Sequence, residues 1–497
     1  MKRNSLTTAV VAAIAGVAGF AGLANAVDLN PDGLGQVLIY PYYTVNKSQD
    51  TQFSVVNTSD VGKAVKVRFL EGYDSREVLD FNLFLSPYDV WTAAISQVSD
   101  TGGGQINTHD KSCIDFIPSF PYPFSTRGFD GTLSAYAGDS GPQTADRTRE
   151  GYIEIIAMGD IIPGSPLDKA TKHKQNGVPD GGTPTCAAPV GDDTVTSANL
   201  VPPTSGLFGN AGIINVGEGT FFSYNADAIE GFTESKLYTT PSDLTPTLQQ
   251  ANTPSLAATG VARSYVFGAD GTLITADFAR GEDAVSAVFM ADHIYNEYYI
   301  NPAQGAASDW VLTFPTKRFY VDKVLYPSAI TAPFAEPFGA TDDNQSRVNI
   351  GINTYDREEG SQETVTPRCP SPPDDSCFAH APFLPYEVNV LSFATVSPVG
   401  GSSVFGSQLY KTVNPFGLDG WAAIDLGSGD GGHFLLGGVA SNGVDPVVFT
   451  GLPVTGFYAN NVINANANPG KLANYSGVWR HRAHRTCTDT VTQGACS

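Results

Sequence analysis

Two neighbouring stretches decide the fold: Ala64-Val65-Lys66-Val67-Arg68-Phe69-Leu70 and Val78-Leu79-Asp80-Phe81-Asn82-Leu83-Phe84-Leu85. In the first, Val65, Val67 and Phe69 share one face, with Lys66 and Arg68 on the other. In the second, Leu79, Phe81, Leu83 and Leu85 point inward, and Asp80 and Asn82 outward. A period of two is the signature of a strand with one buried face. Ser86-Pro87-Tyr88-Asp89 then reads as a turn, and Val90–Ile95 as the next strand.

The same style extends both ways. Gln36–Val45 is an apolar, aromatic run, and Phe53–Asn57 is a second short strand. Gly151–Met158 and Ile213–Tyr224 follow. Strands spaced by turn clusters every 8–12 residues or so predict β-sandwiches. Later, Trp310–Tyr320 reads as two strands broken by Pro315. Val348, Ile350 and Ile352 alternate, and Glu387–Val396, Gly420–Leu426 and Val447–Tyr458 are strand-like. Between Glu282 and Ile300 the period changes. Val285, Val288, Phe289, Asp292, Tyr295 and Tyr298 recur at helical spacing, although the Val, Ile and Tyr content also permits a strand. The expectation is a mainly all-β chain of two β-sandwich domains, immunoglobulin-like or jelly-roll-like, with long loops and a short helical segment. Its divisions are a signal peptide at 1–26, a first sandwich with a disulfide-stapled insertion at 27–235, a linker and helix at 236–300, and a second sandwich at 301–497. A weak echo, Phe53–Asn57 against Ile350–Asn353 and Trp91 against Trp421, is compatible with duplication.

Lys2 and Arg3, an apolar run from Ala9 to Leu23, and Ala24-Asn25-Ala26 have the order of a cleavable secretory leader. The run is too short and too rich in Gly and Ala for a good membrane anchor, and no second long apolar stretch exists. The full sequence carries a formal charge of −22, and loss of Lys2 and Arg3 makes the mature chain more acidic still. Nucleic acids and anionic membranes are poor partners for such a surface. Six cysteines, all after the leader, read as disulfides in an exported chain. Proximity in sequence favours Cys113–Cys186, Cys369–Cys377 and Cys487–Cys496 among the fifteen pairings.

Motifs of catalysis are weak. Gly138-Asp139-Ser140-Gly141-Pro142 looks like the nucleophile loop of trypsin-type proteases, but the histidine context that chemistry needs is missing. The stretch reads as a turn. His481, His484 and Cys487 have the spacing of metal ligands, against which stands a disulfide at Cys487. Arg480, Arg482 and Arg485 form a local basic cluster. Asp-Gly turns recur at Asp32, Asp130, Asp180, Asp270 and Asp430. Asp342, Asp343 and Asp430 are the candidate calcium ligands, as clustered carboxylates on turns. Tyr40, Tyr42 and Tyr43, and the aromatics between Phe116 and Phe124, suit a core or an interface better than a sugar platform.

Gly35–Tyr43, Lys63–Gly72, Val78–Trp91, Trp310–Tyr320 and the segment from Leu472 to Arg482 together resemble a family of exported proteobacterial proteins described as hypothetical or cell-surface proteins. The resemblance implies compartment and a shared fold, and carries no active site. The expected function is a secreted or outer-surface structural or adhesive protein without catalytic activity. The alternatives are a calcium-assisted glycan-binding protein and, third, an exported hydrolase. Self-association or a surface glycan are the expected partners, and a periplasmic location is the alternative to the surface.

Overall fold

The computed structural model describes residues 26–133, 139–173, 182–327, 332–334, 336–338, 345–364, 382–429, 432–438 and 446–496. The leader up to Asn25, Cys369, Cys377, Asp342, Asp343 and Asp430 lie outside them, and so do the expectations placed on those residues.

The fold is all-β, of the sandwich type. Val37–Thr44, Gly62–Glu71, Glu77–Leu85 and Glu150–Ile161 form the centre of one antiparallel sheet. Facing it, Asp50–Asn57 runs between Leu207–Asn215 and Val90–Gln97. The inward side chains meet edge to face: Phe53 lies 5.8 Å from Phe69 and 5.6 Å from Trp91, and Phe81 lies 5.8 Å from Trp91. Tyr40, Tyr42 and Tyr43 are wholly buried in this core.

A second pair of sheets follows. His293–Tyr299, Gly351–Asp356, Ser361–Thr364, Asp419–Asp425 and Arg482–His484 make one. Ala306–Thr313, Val388–Phe393, Tyr410–Val413, Thr455–Asn468 and Lys471–Arg480 make the other. Between them Tyr298 stacks on Phe393 at 5.4 Å, and Phe393 meets Trp310 at 5.1 Å. The two large cores each take residues from both halves of the chain: Phe405 and Phe457 pack with Tyr42 and Tyr224, while Val27, Val37 and Ile39 join Trp310 and Leu312.

Three local readings need revision. The helix occupies only Gly281–Phe289, where Ala284, Val285, Ala287 and Val288 are buried. The backbone then turns extended, and His293–Tyr299 is a strand that buries Ile294, Asn296 and Tyr298 and turns out His293, Tyr295 and Glu297. After Pro315 the chain forms the short helix Arg318–Val321 instead of a strand. Finally, Lys66 and Arg68 do not face water. Lys66 Nζ donates to the carbonyls of Thr240 (2.9 Å) and Asp243 (3.0 Å) and pairs with Asp80 at 2.8 Å. Arg68 pairs with Glu77 and Glu154, and Arg318 reaches Glu154 from the other half at 2.9 Å. A second layer therefore covers this face, and buried charges survive there because each is paired.

Among the described residues two disulfides are formed, Cys113–Cys186 and Cys487–Cys496. The first anchors the insertion against Phe84, Met158 and Leu200. Among the described residues no helix is long and apolar enough to cross a membrane.

A candidate binding face with an adjoining histidine cluster

The outer side of the sheet built on His293–Tyr299 carries a row of aromatic rings. Its inner side must bury Ile294, Tyr298, Ile352, Ala422 and Ile424. Strict alternation then places His293, Tyr295, Trp421 and Tyr355 on the opposite side. Register brings them together: Trp421 lies across from both Glu297 and Tyr355, and His293 lies across from both Asp425 and His484. Tyr355 stacks on Trp421 with centroids 4.2 Å apart and planes 11° from parallel. Tyr295 follows at 6.4 Å from Trp421, and His293 lies parallel to Tyr295 at 6.0 Å. The result is a row of four rings across three strands. Trp421 remains 42% exposed, and together with its neighbouring rings it makes a contiguous exposed aromatic patch of the kind that marks interaction sites. Glu297, Asp419 and Arg357 rim the row with charge, the last two paired at 3.0 Å.

At one end of the row Asp292, His293 and His484 converge. Each offers one ligand-type atom, and these atoms lie within 4.8 Å of one another. Asp292 is held by the fold: its backbone N–H donates to the His484 carbonyl, its carbonyl accepts from Leu426 N–H, and its carboxylate accepts from the Thr486 hydroxyl. His484 Nδ1 sits 2.8 Å from Asp292 Oδ1, and His293 Nδ1 3.6 Å. Burial works against charge on Asp292, but the Thr486 and His484 hydrogen bonds and the two imidazoles outweigh it and hold the carboxyl below its ordinary value.

His481 and Cys487, the other members of the metal-like spacing, are used elsewhere. His481 is half-buried, with Nε2 2.9 Å from the Val311 carbonyl and Nδ1 3.1 Å from the Asn296 amide nitrogen. Those partners assign the proton to Nε2. Burial pushes the imidazole down to about 4. Cys487 is in its disulfide. His484 belongs instead with Asp292 and His293, which are remote in sequence and gave no motif. The basic cluster is also partly spent: Arg480 pairs with Asp227 at 2.5 Å, and Arg485 Nε donates to the Met290 carbonyl.

Other singled-out residues are structural. Asp139 accepts from Gly141 N–H and pairs with Arg147 at 2.7 Å, so this part of the protease-like stretch is a turn locked to a buried arginine. Asp130 and Asp270 accept from the Thr132 and Thr272 N–H groups of their own turns, with Gly131 and Gly271 at positive φ. A cavity of about 500 Å³ lies elsewhere, on the outer face of the first sandwich between Thr92, His109, Asn210 and Phe221. Its lining mixes Phe53, Phe221 and alanines with Ser54, Thr92, Asn107 and Asn210, without the parallel rings of the row. No protein-family model, no curated protein and no solved structure matches the chain.

Proposed function

We propose that this is an exported, non-catalytic adhesive protein of the outer cell surface, and that it holds saccharide on the row Tyr355–Trp421–Tyr295–His293. The supporting observation is the half-exposed Trp421 indole, braced on one side by Tyr355 on a rigid sheet. Such rings offer dispersion and C–H contacts to the apolar face of a sugar, while Glu297, Asn353 and Asp419 supply polar contacts beside them. Rigid aromatic anchors lose little side-chain freedom on binding, which suits a shallow, uncharged ligand. The formed disulfides suit an oxidising compartment. The resemblance to exported, cell-surface proteins points the same way.

Calcium assistance through Asp342, Asp343 and Asp430 belongs to the same reading. Calorimetry against a glycan panel, with and without calcium, tests both parts. Heat with one glycan class is expected; none with any glycan removes the saccharide reading. Protease treatment of intact cells, before and after a chelator wash, tests the location. Cleavage on intact cells is expected, and full protection until the outer membrane is opened would place the protein in the periplasm. The same exposed row would also suit a second copy of the chain, since Trp and Tyr anchor protein interfaces; a concentration-dependent dimer abolished by Trp421→Ala would favour that occupant.

A further inference from the structure

We infer that Asp292, His293 and His484 form a binding site for one divalent transition-metal ion of the zinc class. The inference shares His293 with the saccharide row but does not rest on that reading, because its measurement is a metal titration without glycan.

The donor set is two imidazole nitrogens and one carboxylate oxygen, on three positions that the backbone already fixes. His293 and His484 are direct cross-strand partners, so their Cβ atoms are about 4.5–5.5 Å apart. Their rings stand 78° apart with centroids at 6.4 Å, converging on the same point without stacking on each other. Asp292 is the anchor. It is 7% exposed and tied by two backbone hydrogen bonds and by Thr486. The two histidines are half-exposed and free to adjust.

Distances fit a small ion. Ligands about 2.0–2.1 Å from a tetrahedral zinc lie about 3.3–3.4 Å from one another. The observed Asp292–His484 and Asp292–His293 separations, 2.8 and 3.6 Å, fall on either side of that value. The third separation, between the two imidazoles, lies within 4.8 Å, so the two half-exposed rings close the site by turning towards each other. The Thr486 hydroxyl on the second oxygen of Asp292 orients the carboxylate, as outer partners of metal ligands do. Asp425, across from His293, adds negative charge nearby, although its Oδ1 accepts from the Gly427 and Ser428 N–H groups and its Oδ2 from the Ser428 hydroxyl. Calcium is a poor match, since it takes six to eight oxygen ligands. Imidazole with carboxylate suits zinc, copper or nickel. Three protein ligands leave a coordination position open to water or to a ligand on the neighbouring rings.

The test uses the full mature protein with any affinity tag removed. Zinc chloride is titrated by calorimetry, with calcium chloride as the control ion, and cobalt(II) absorption in the visible reports imidazole ligation. One zinc per chain and a cobalt band are expected, with no calcium heat at the same concentrations. His484→Ala and His293→Ala should each weaken zinc by more than about tenfold, since losing an outer partner alone costs that much. His481→Gln should leave it unchanged. Both histidine variants are half-exposed, so unchanged thermal unfolding without metal separates lost ligation from lost folding. Absence of zinc heat and of the cobalt band, or affinity unaltered in both variants, overturns the inference.

Discussion

Replacing Arg147 with Met should damage the fold far more at neutral pH than in acid. The Arg147 side chain is fully buried. Its Nε lies 2.9 Å from Glu71, one terminal nitrogen 2.7 Å from Asp139, and the other donates to Asp74. Its guanidinium also lies 4.3 Å over the Phe129 ring. Methionine keeps much of the volume but removes the guanidinium that all three carboxylates share; Glu71 keeps the Tyr73, Asp74 and Arg76 N–H groups, Asp139 keeps the Gly141 N–H, and Arg76 lies 3.7 Å from both Asp74 and Asp139. Breaking a buried pair by removing one partner costs about 3–5 kcal/mol. Guanidinium unfolding at pH 8 should therefore show a midpoint lower by about 0.5–1 M, taking a slope of several kcal/mol per molar for a chain of this size. Burial alone would raise Glu71, and Arg147 holds it below its ordinary value. Burial and the adjacent Glu71 raise Asp74. Without the arginine both carboxyls rise, so the variant binds more protons when folded than when unfolded, and its deficit shrinks as pH falls from 8 towards 5. Arg147→Lys should be intermediate, because an ammonium cannot serve three carboxylates in one plane. A loss below about 1 kcal/mol at pH 8, or a deficit that grows in acid, would refute this reasoning.

Two further outcomes follow from the same structure. Asp28 faces Glu230 across an antiparallel pair, and burial, then Glu230, pushes its carboxyl up to about 6. A raised carboxyl binds protons more tightly in the folded state, so its contribution is present below pH 4 and lost as pH rises through 6. Asp28→Asn should match the wild type near pH 3.5 and exceed it by about 1–2 kcal/mol at pH 8, after allowance for partial solvent screening; lower stability of the variant at pH 8 would contradict this. Removing Cys113–Cys186, which closes a separation of 73 residues, should cost about 4 kcal/mol on the chain-entropy account. Denaturant midpoints of Cys113→Ala/Cys186→Ala measure it, and an unchanged midpoint would show that the unfolded chain gains nothing from release of the loop.

The strands were the legible part. Val65–Phe69 and Leu79–Leu85 alternate cleanly because one face must be buried, and a period of two leaves no other register. Tyr40, Tyr42 and Tyr43 fall in the core, in keeping with their apolar neighbours. The polar face of the same strands was misleading: Lys66 and Arg68 look solvated in a local window, and only the distant Thr240, Asp243 and Glu154 reveal that they are covered. The segment from Gly281 to Tyr299 mixes a helix and a strand, so neither period spans it. The candidate site was the least legible. Tyr355, Trp421 and Tyr295 lie on strands far apart in sequence, and only sheet register puts them side by side. His484 carried a visible signal, but its sequence neighbours His481 and Cys487 pointed to the wrong partners, because successive strand positions and a disulfide send them elsewhere.

Saccharide binding before and after removal of the aromatic row tests the central claim most directly. Calorimetry of the wild type, Trp421→Ala and Tyr355→Ala on the best glycan of a panel should show a loss of about tenfold or more for Trp421→Ala, or about 1.4 kcal/mol. Tyr355→Ala should lose less, since that ring braces the indole, and the thermal unfolding of both variants should be unchanged because their side chains lie outside the core. Binding that survives Trp421→Ala at full strength would contradict the account and move the site to another face of the molecule.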